Sequence, residues 1–294
     1  MSQTLPPLKR IAAVHDLSGV GKCSLTVALP VISATGVECA CMPTAVLSTH
    51  TGEFTGYTMR PLTDEMLPMA EHWRREGVRF QGIYSGYLAS PAQAAILEEV
   101  FSILADKDTL VIIDPVMADH GRYYRGLDGR ICHAFRRLCA RADIITPNIT
   151  EAAFLTGLPY RSGPHEAAYL DELLSGLREL GPRYAALTGA RPEGGGVGNL
   201  ALDCKTGERY AALGPEREGI YYGGGDIFAS ALAALLVRGA ALRPALELAS
   251  SLVEESVARS LLRPERPRRF GMDFEGALPA YVRKVEALFA GTGK

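Results

Sequence analysis

Three glycines and a carboxylate stand directly before an apolar, helix-forming run: Tyr221-Tyr222-Gly223-Gly224-Gly225-Asp226, then Ile227 to Leu236. The first turn of a helix carries backbone N–H groups without intrahelical acceptors and a partial positive charge, which suits an anion. Glycines let that backbone come close to a phosphate and adopt dihedrals that other residues avoid. An anion repels the Asp226 carboxylate, so Asp226 does not serve to bind one. Placed beside it, however, the carboxylate can take the proton of an attacking hydroxyl. An anion cradle with an adjacent base is the minimal equipment for moving a phosphoryl group to an alcohol. The same residues also have a plainer use, because Asp is an ordinary helix N-cap and glycine runs occur in simple loops.

A second segment, Ser18-Gly19-Val20-Gly21-Lys22-Cys23-Ser24, invites comparison with the P-loop G-x-x-x-x-G-K-[ST]. The first glycine would fall at Asp16 and the magnesium-ligating hydroxyl at Cys23. Two of four key positions therefore fail. The segment reads better as a strand-to-helix turn lining a small-molecule pocket, with Lys22 a solvated first-turn residue. Two further polar groups remain open: Asp114-Pro115 is a carboxylate site or a strand-ending turn, and Asn148 to Glu151 is a ligand set or a capping box.

Positioning such groups takes a scaffold, and the apolar pattern supplies one. Short strand-like runs at 11–14, 39–47, 82–86, 109–113, 143–146 and 184–188 alternate with helical segments at 24–35, 64–76, 91–104, 129–141 and 166–180. That order predicts an α/β fold with a mostly parallel central sheet and helices on both faces. Val197–Asp203 and Arg209–Leu213, joined by a Gly-containing turn, predict an antiparallel hairpin in the C-terminal half. Helices over 226–237, 242–262 and 273–289 close the chain, and with no repeat or long linker one domain over 1–294 is expected. Most polar and glycine clusters fall at strand ends, where ligands sit in open α/β sheets.

Composition narrows the function classes. The formal charge of −2 gives no footprint for nucleic acid or an anionic membrane surface, and no apolar run reaches the ~18 residues of a membrane span. The first ten residues lack a signal-peptide apolar core, and the six cysteines form no CxxC pair. A cytoplasmic protein with reduced thiols and no structural zinc is expected.

Set side by side, several ordered segments resemble the pyridoxal/pyridoxamine kinase family of the ribokinase-like superfamily. They are Ser48-Thr49-His50-Thr51-Gly52, Tyr84-Ser85-Gly86-Tyr87-Leu88, Asp114-Pro115-Val116-Met117, Thr146 to Ala152, Thr188-Gly189 and Gly223 to Asp226. The resemblance runs from Ile11 to about Leu262 and implies the ribokinase-like three-layer fold. It departs from the usual Gly-Thr-Gly-Asp cradle at Gly224, which keeps the N–H donors and loses a hydroxyl. Hydroxymethylpyrimidine kinases of thiamin synthesis are similar too, and the His15–Cys23 segment is closer to their Ser-Gly-Gly turn.

The resemblance implies ATP and Mg2+ as cofactors and a B6 vitamer as the substrate, phosphorylated on its 5′-hydroxymethyl group. Asp226 would be the base, with Gly223, Gly224 and Gly225 steadying the transferring phosphoryl. Asp114 and Glu151 would hold magnesium; these two with Asn148, Thr188, Gly189 and Gly225 would line the nucleotide site. Asp16, Ser48, His50, Thr51 and Tyr84 would contact the vitamin, His50 by stacking or hydrogen bonding and Tyr84 as the ring-contacting aromatic. Asp119 to Tyr124 resembles an active-site lid, with Tyr124 at its aromatic position. A homodimer is expected from the family. Two other functions remain: a hydroxymethylpyrimidine kinase with the same chemistry, and a catalytically silent vitamin-binding sensor.

Overall fold

The computed structural model describes residues 7–219 and 221–290. The chain opens with β1 (Arg10–Val20), α1 (Leu25–Ala34), β2 (Glu38–Thr49), β3 (Met59–Pro61), α2 (Thr63–Arg75), β4 (Gly82–Ser85), α3 (Pro91–Leu104) and β5 (Leu110–Ile113). A small hairpin follows, β6 (Ala118–Asp119) and β7 (Arg122–Tyr123), then α4 (Gly129–Cys139), β8 (Ile144–Ile145), α5 (Ile149–Thr156) and α6 (Ala167–Glu179). The remainder is β9 (Tyr184–Ala190), β10 (Val197–Asp203), β11 (Arg209–Gly214), α7 (Gly224–Arg238), α8 (Leu242–Leu261) and α9 (Leu278–Ala290).

One sheet runs in the order β11-β10-β9-β8-β5-β4-β1-β2-β3. The six strands from β9 to β2 are parallel, while β10, β11 and β3 add antiparallel edges. Successive strand side chains go to opposite faces, which explains the near-continuous apolar runs. Val14, Ile83, Ile113, Ile145 and Ala185 enter one apolar layer with α2 to α6. Their neighbours Ala13, Tyr84, Ile112, Ile144 and Ala186 enter the other, with α1, α7, α8 and α9. In α7 every residue from Ile227 to Val237 is buried, as an all-round apolar helix must be.

The predicted α/β architecture and its antiparallel hairpin are therefore present, with three local differences. β1 continues well past Val14, because Leu17 to Val20 pair with Val46 to Thr49 of β2. β3, unforeseen in the sequence, covers the outer edge of β2 through three exposed residues with no apolar pattern. The segment before α9 is not helical. Residues 271–277 form a strap fastened by Asp273, whose N–H donates to Ser260 Oγ (2.8 Å) and whose carboxylate accepts from Arg263 Nε (2.8 Å).

Candidate active site

In this sheet β1 lies between β2 and β4, so the direction of strand addition reverses around it. Ligands bind outside the carboxyl ends of strands at such a point. A cleft of about 910 Å³ opens there, within the range of small-molecule sites. One lobe is walled by the ends of β1 and β2 (Asp16, Ser18, His50, Thr51) with Tyr87 and Tyr222; the other by β10, β11 and α8 (Val197, Asn199, Leu213, Ser250, Val253). Gly223, Gly224, Gly225, Asp226, Asp114, Glu151, Asn148, Thr188, Gly189 and Tyr124 also line it. The cleft thus gathers candidate residues from sequence positions 16 to 226 that the sequence alone could only associate by resemblance.

The glycine run takes its shape from contacts. Gly223 is the N-cap of α7 with φ 85°, a left-handed conformation, and a Cβ there would lie 2.3 Å from the Lys22 carbonyl oxygen. Only glycine fits. At Gly224 a Cβ would meet the Met272 methyl at 3.3 Å, whereas at Gly225 nothing lies within 4 Å. Helix α7 begins at Gly224, so Asp226 sits in the first turn, beside N–H groups that have no acceptor within the helix.

Four carboxylates of this cleft, Asp226, Asp114, Glu151 and Asp16, hold their protons more tightly than usual. Burial pushes Asp226 from 3.8 up to about 7, with the backbone N–H of Ser24 pulling it partway back and Asp16 pushing it further. Asp114, 5% exposed, is raised well above the usual carboxylate range by burial and then by the charge of Asp226. Glu151 is raised by burial and by Asp114, while two backbone N–H groups oppose the shift. Asp16 is raised by burial, with the Ser24 and Ser18 hydroxyls acting against it; Ser18 Oγ donates to Asp16 Oδ2 at 2.8 Å. Such a set favours a site that receives positive charge.

Asn148 and Glu151 do form the capping box of α5, and they also line the cleft. Asn148 Oδ1 accepts the Glu151 N–H (2.9 Å), Glu151 Oε2 accepts the Asn148 N–H (2.8 Å), and Glu151 Oε1 accepts the Met117 N–H (3.1 Å). Asn148 Nδ2 holds the Ala118 carbonyl at 2.8 Å, and the Gly121 N–H donates to Thr150 Oγ1 at 3.0 Å. Those two bonds dock the β6–β7 hairpin on α5. Its tip, His120 (φ 49°) and Gly121 (φ 75°), has both central residues left-handed, as a tight two-residue hairpin turn requires.

Four sequence expectations need correction. Tyr84 lies inside β4 and is 0% exposed, packed edge-on to His15 with ring centres 4.3 Å apart; it is not part of the cleft wall. Tyr87, beyond the strand end, is the aromatic of that segment that lines the cleft. Ser48 points elsewhere as well, its Oγ accepting the Thr58 N–H at 3.0 Å. His50 lines the cleft, but its ring nitrogens are both engaged: Nδ1 accepts the Gly52 N–H (3.0 Å), so Nε2 carries the proton and donates to the Arg269 carbonyl (2.6 Å). Only ring contact is left to it, and Phe54 and Tyr222 already stand 4.9 and 5.0 Å away. Lys22 is not solvated either; it is tied to the strap. The lobe formed by β10, β11 and α8 had no local signal, because its residues are spaced through ordinary strand and helix patterns.

The phosphomethylpyrimidine kinase family model matches residues 27–266. The chain belongs to the phosphomethylpyrimidine and pyridoxal kinase family of the ribokinase-like superfamily. A pyridoxine/pyridoxal/pyridoxamine kinase of Bordetella avium is 28% identical over 265 residues, covering 86% of each chain. A Bacteroides thetaiotaomicron protein described as a phosphomethylpyrimidine kinase and crystallised with pyridoxal is 34% identical, with TM-score 0.88 over 94% of this chain and 96% of that one. Pyridoxal kinase from Lactobacillus plantarum is 31% identical, with TM-score 0.86 over 96% and 99%. As a member of this kinase family, the chain is a phosphotransferase acting on a hydroxyl group, which sets the silent-sensor reading aside.

Proposed function

We propose that this kinase phosphorylates the 5′-hydroxymethyl group of a B6 vitamer (pyridoxal, pyridoxine or pyridoxamine), using ATP and Mg2+. The observation that carries it is Asp226: a carboxylate pushed by burial up to about 7, in the first turn of α7, beside the glycine N–H groups and on the wall of the cleft. A base of that pKa is ionised in useful measure at neutral pH and still holds a proton it receives. The cradle N–H groups of Gly223, Gly224 and Gly225 stabilise the charge that builds on the moving phosphoryl. Asp16, Thr51, Tyr87 and Tyr124 orient the flat ring, and Thr188 with Gly189 meets the nucleotide phosphates. The β6–β7 hairpin excludes water from above. The similarity to kinases named for B6 vitamers supports the choice of substrate.

Among the described residues no group of three or more His, Cys, Asp or Glu could hold a metal by itself. Magnesium does not need one: it takes one or two carboxylates and fills its shell with phosphate oxygens and water. Asp114 and Glu151, buried and short of positive charge, fit that donor set. When bound, the ion offsets the charge of the triphosphate.

The description of the matching family model favours a second reading, a hydroxymethylpyrimidine kinase on the same chemistry. Phosphorylation assays across the three vitamers and hydroxymethylpyrimidine, with and without magnesium, separate the two. Turnover of a vitamer well above the pyrimidine supports the first reading, and the reverse replaces it. We further place the chain in the cytoplasm as one folding unit over 1–294 and a homodimer. All six cysteines are free, no helix of the described residues is long and apolar enough to cross a membrane, and a single sheet draws on residues 10–214.

A further inference from the structure

Lys22 does not line the cleft, yet it is held more firmly than a surface lysine. Its ammonium donates to the Met272 carbonyl (3.0 Å) and to Glu275 Oε2 (2.5 Å), and lies 5.4 Å from the centre of the Phe274 ring. Its side chain is 19% exposed, against 54% for Glu275, so the charge depends on these oxygens more than on water. All three partners belong to the strap before α9.

The backbone at the same place is strained. Lys22 (φ 54°) and Ser24 (φ 55°) are both left-handed without being glycine, and such conformations persist only where surrounding contacts enforce them. The strap supplies the contacts: a Cβ on Gly271 would lie 2.4 Å from the Gly21 carbonyl oxygen and 2.7 Å from Lys22 Cβ. On its other side the turn meets the reaction centre. The Lys22 carbonyl abuts Gly223, and the Ser24 N–H faces the Asp226 carboxylate. The turn is thus pressed between the strap and the cradle.

We propose that Lys22 is a positioning residue for phosphoryl transfer: by fastening the 271–275 strap to the 21–24 turn, it holds Gly223 and Asp226 in the alignment that transfer requires. The proposal rests on the kinase reading above. Because base and cradle act on the transition state, a loose alignment lowers kcat. Apart from Cys23, Ser24 and Met272, the cleft wall lies on other elements, so substrate affinity is largely spared.

The test compares Lys22→Met, Lys22→Arg and Phe135→Leu, the last a remote core change that lowers stability without touching the turn. Steady-state kinetics are read per folded molecule, and amide NMR spectra are recorded without substrate. The expected result is a kcat loss of about tenfold or more for Lys22→Met with each KM within about twofold, most of it restored in Lys22→Arg. The amides of 223–226 and 271–275 shift together in Lys22→Met and not in Phe135→Leu. Wild-type kcat in Lys22→Met, a Lys22→Arg chain no better than Lys22→Met, or unmoved amides at 223–226 would each overturn the proposal. Should the wild type phosphorylate no B6 vitamer, the substrate assignment falls, and the substrate-free spectra still decide the role of Lys22.

Discussion

The carbonyl oxygen of Lys22 occupies the space a side chain on Gly223 would need, 2.3 Å from the ideal Cβ position. The first glycine of the cradle is therefore required by packing and by its φ of 85° together, quite apart from any ligand.

Gly223→Ala is expected to destabilise the fold by at least ~1–3 kcal/mol, the usual cost of a strained backbone conformation, and to abolish turnover. Gly225→Ala meets nothing within 4 Å and should melt like the wild type. Its methyl group nevertheless projects from the cradle, so kcat should drop. Thermal melts alongside kinetics distinguish the two variants.

Asp226→Asn should lower kcat by ~10²- to 10⁴-fold, the range of general-base contributions, with KM little changed. In the wild type the ionised carboxylate is the active form, so kcat/KM should climb as pH rises through about 7 and level off above it. The variant should lack that limb. A pH–rate profile that is flat in the wild type from 5 to 8 would remove Asp226 from the role of base.

Asp114 pays for its position in stability. Its folded-state pKa is raised, so its contribution to stability is fully present below the ordinary carboxylate pKa and is lost as pH rises through the folded value. Asp114→Asn should therefore raise Tm at pH 8 while depressing turnover, with less gain at pH 5. Equal shifts at both pH values would show that Asp114 has no raised pKa.

Tyr87→Ala should raise KM for the ring substrate several-fold and leave the nucleotide KM alone. Tyr84→Phe should keep full activity, since Tyr84 lies inside β4 and away from the cleft wall. A loss of vitamer binding in Tyr84→Phe would restore the role the sequence first suggested for it.

The proposed homodimer also has a surface to test. Leu17 and Val46, paired neighbours on one face of the β1–β2 edge, are 37% and 42% exposed, apolar surface that a second copy would cover. Light scattering should give twice the monomer mass for the wild type and the monomer mass for Val46→Glu. A wild-type monomer would end the dimer proposal.

Much of this was legible in the chain because the signals are local. The Asn148–Glu151 box, the helix at Pro91–Leu104 and the 197–213 hairpin each follow from a few neighbouring residues. Tyr84 and Tyr87 show the limit. Both are tyrosines in one short motif, and only the register of β4, which ends at Ser85, decides which of them leaves the core. His50 shows another: its partner at Arg269 lies 219 positions away, and no local pattern announces that both ring nitrogens are taken. β3 has three exposed residues and exists only through pairing with β2, so its sequence carries no strand period.

The burial of α7 fixes the order in which heating should dismantle this enzyme. The catalytic turn is the half-buried first turn of a helix whose next eleven residues are all within the core, so its position is tied to the stability of the core. The β6–β7 hairpin is anchored by the buried Ala118 and by two hydrogen bonds to α5, but its tip from Asp119 to Arg122 is largely exposed and less constrained. On warming, the cover should detach first over a still-intact base and cradle, giving a window in which ATP is hydrolysed faster while transfer to the alcohol declines.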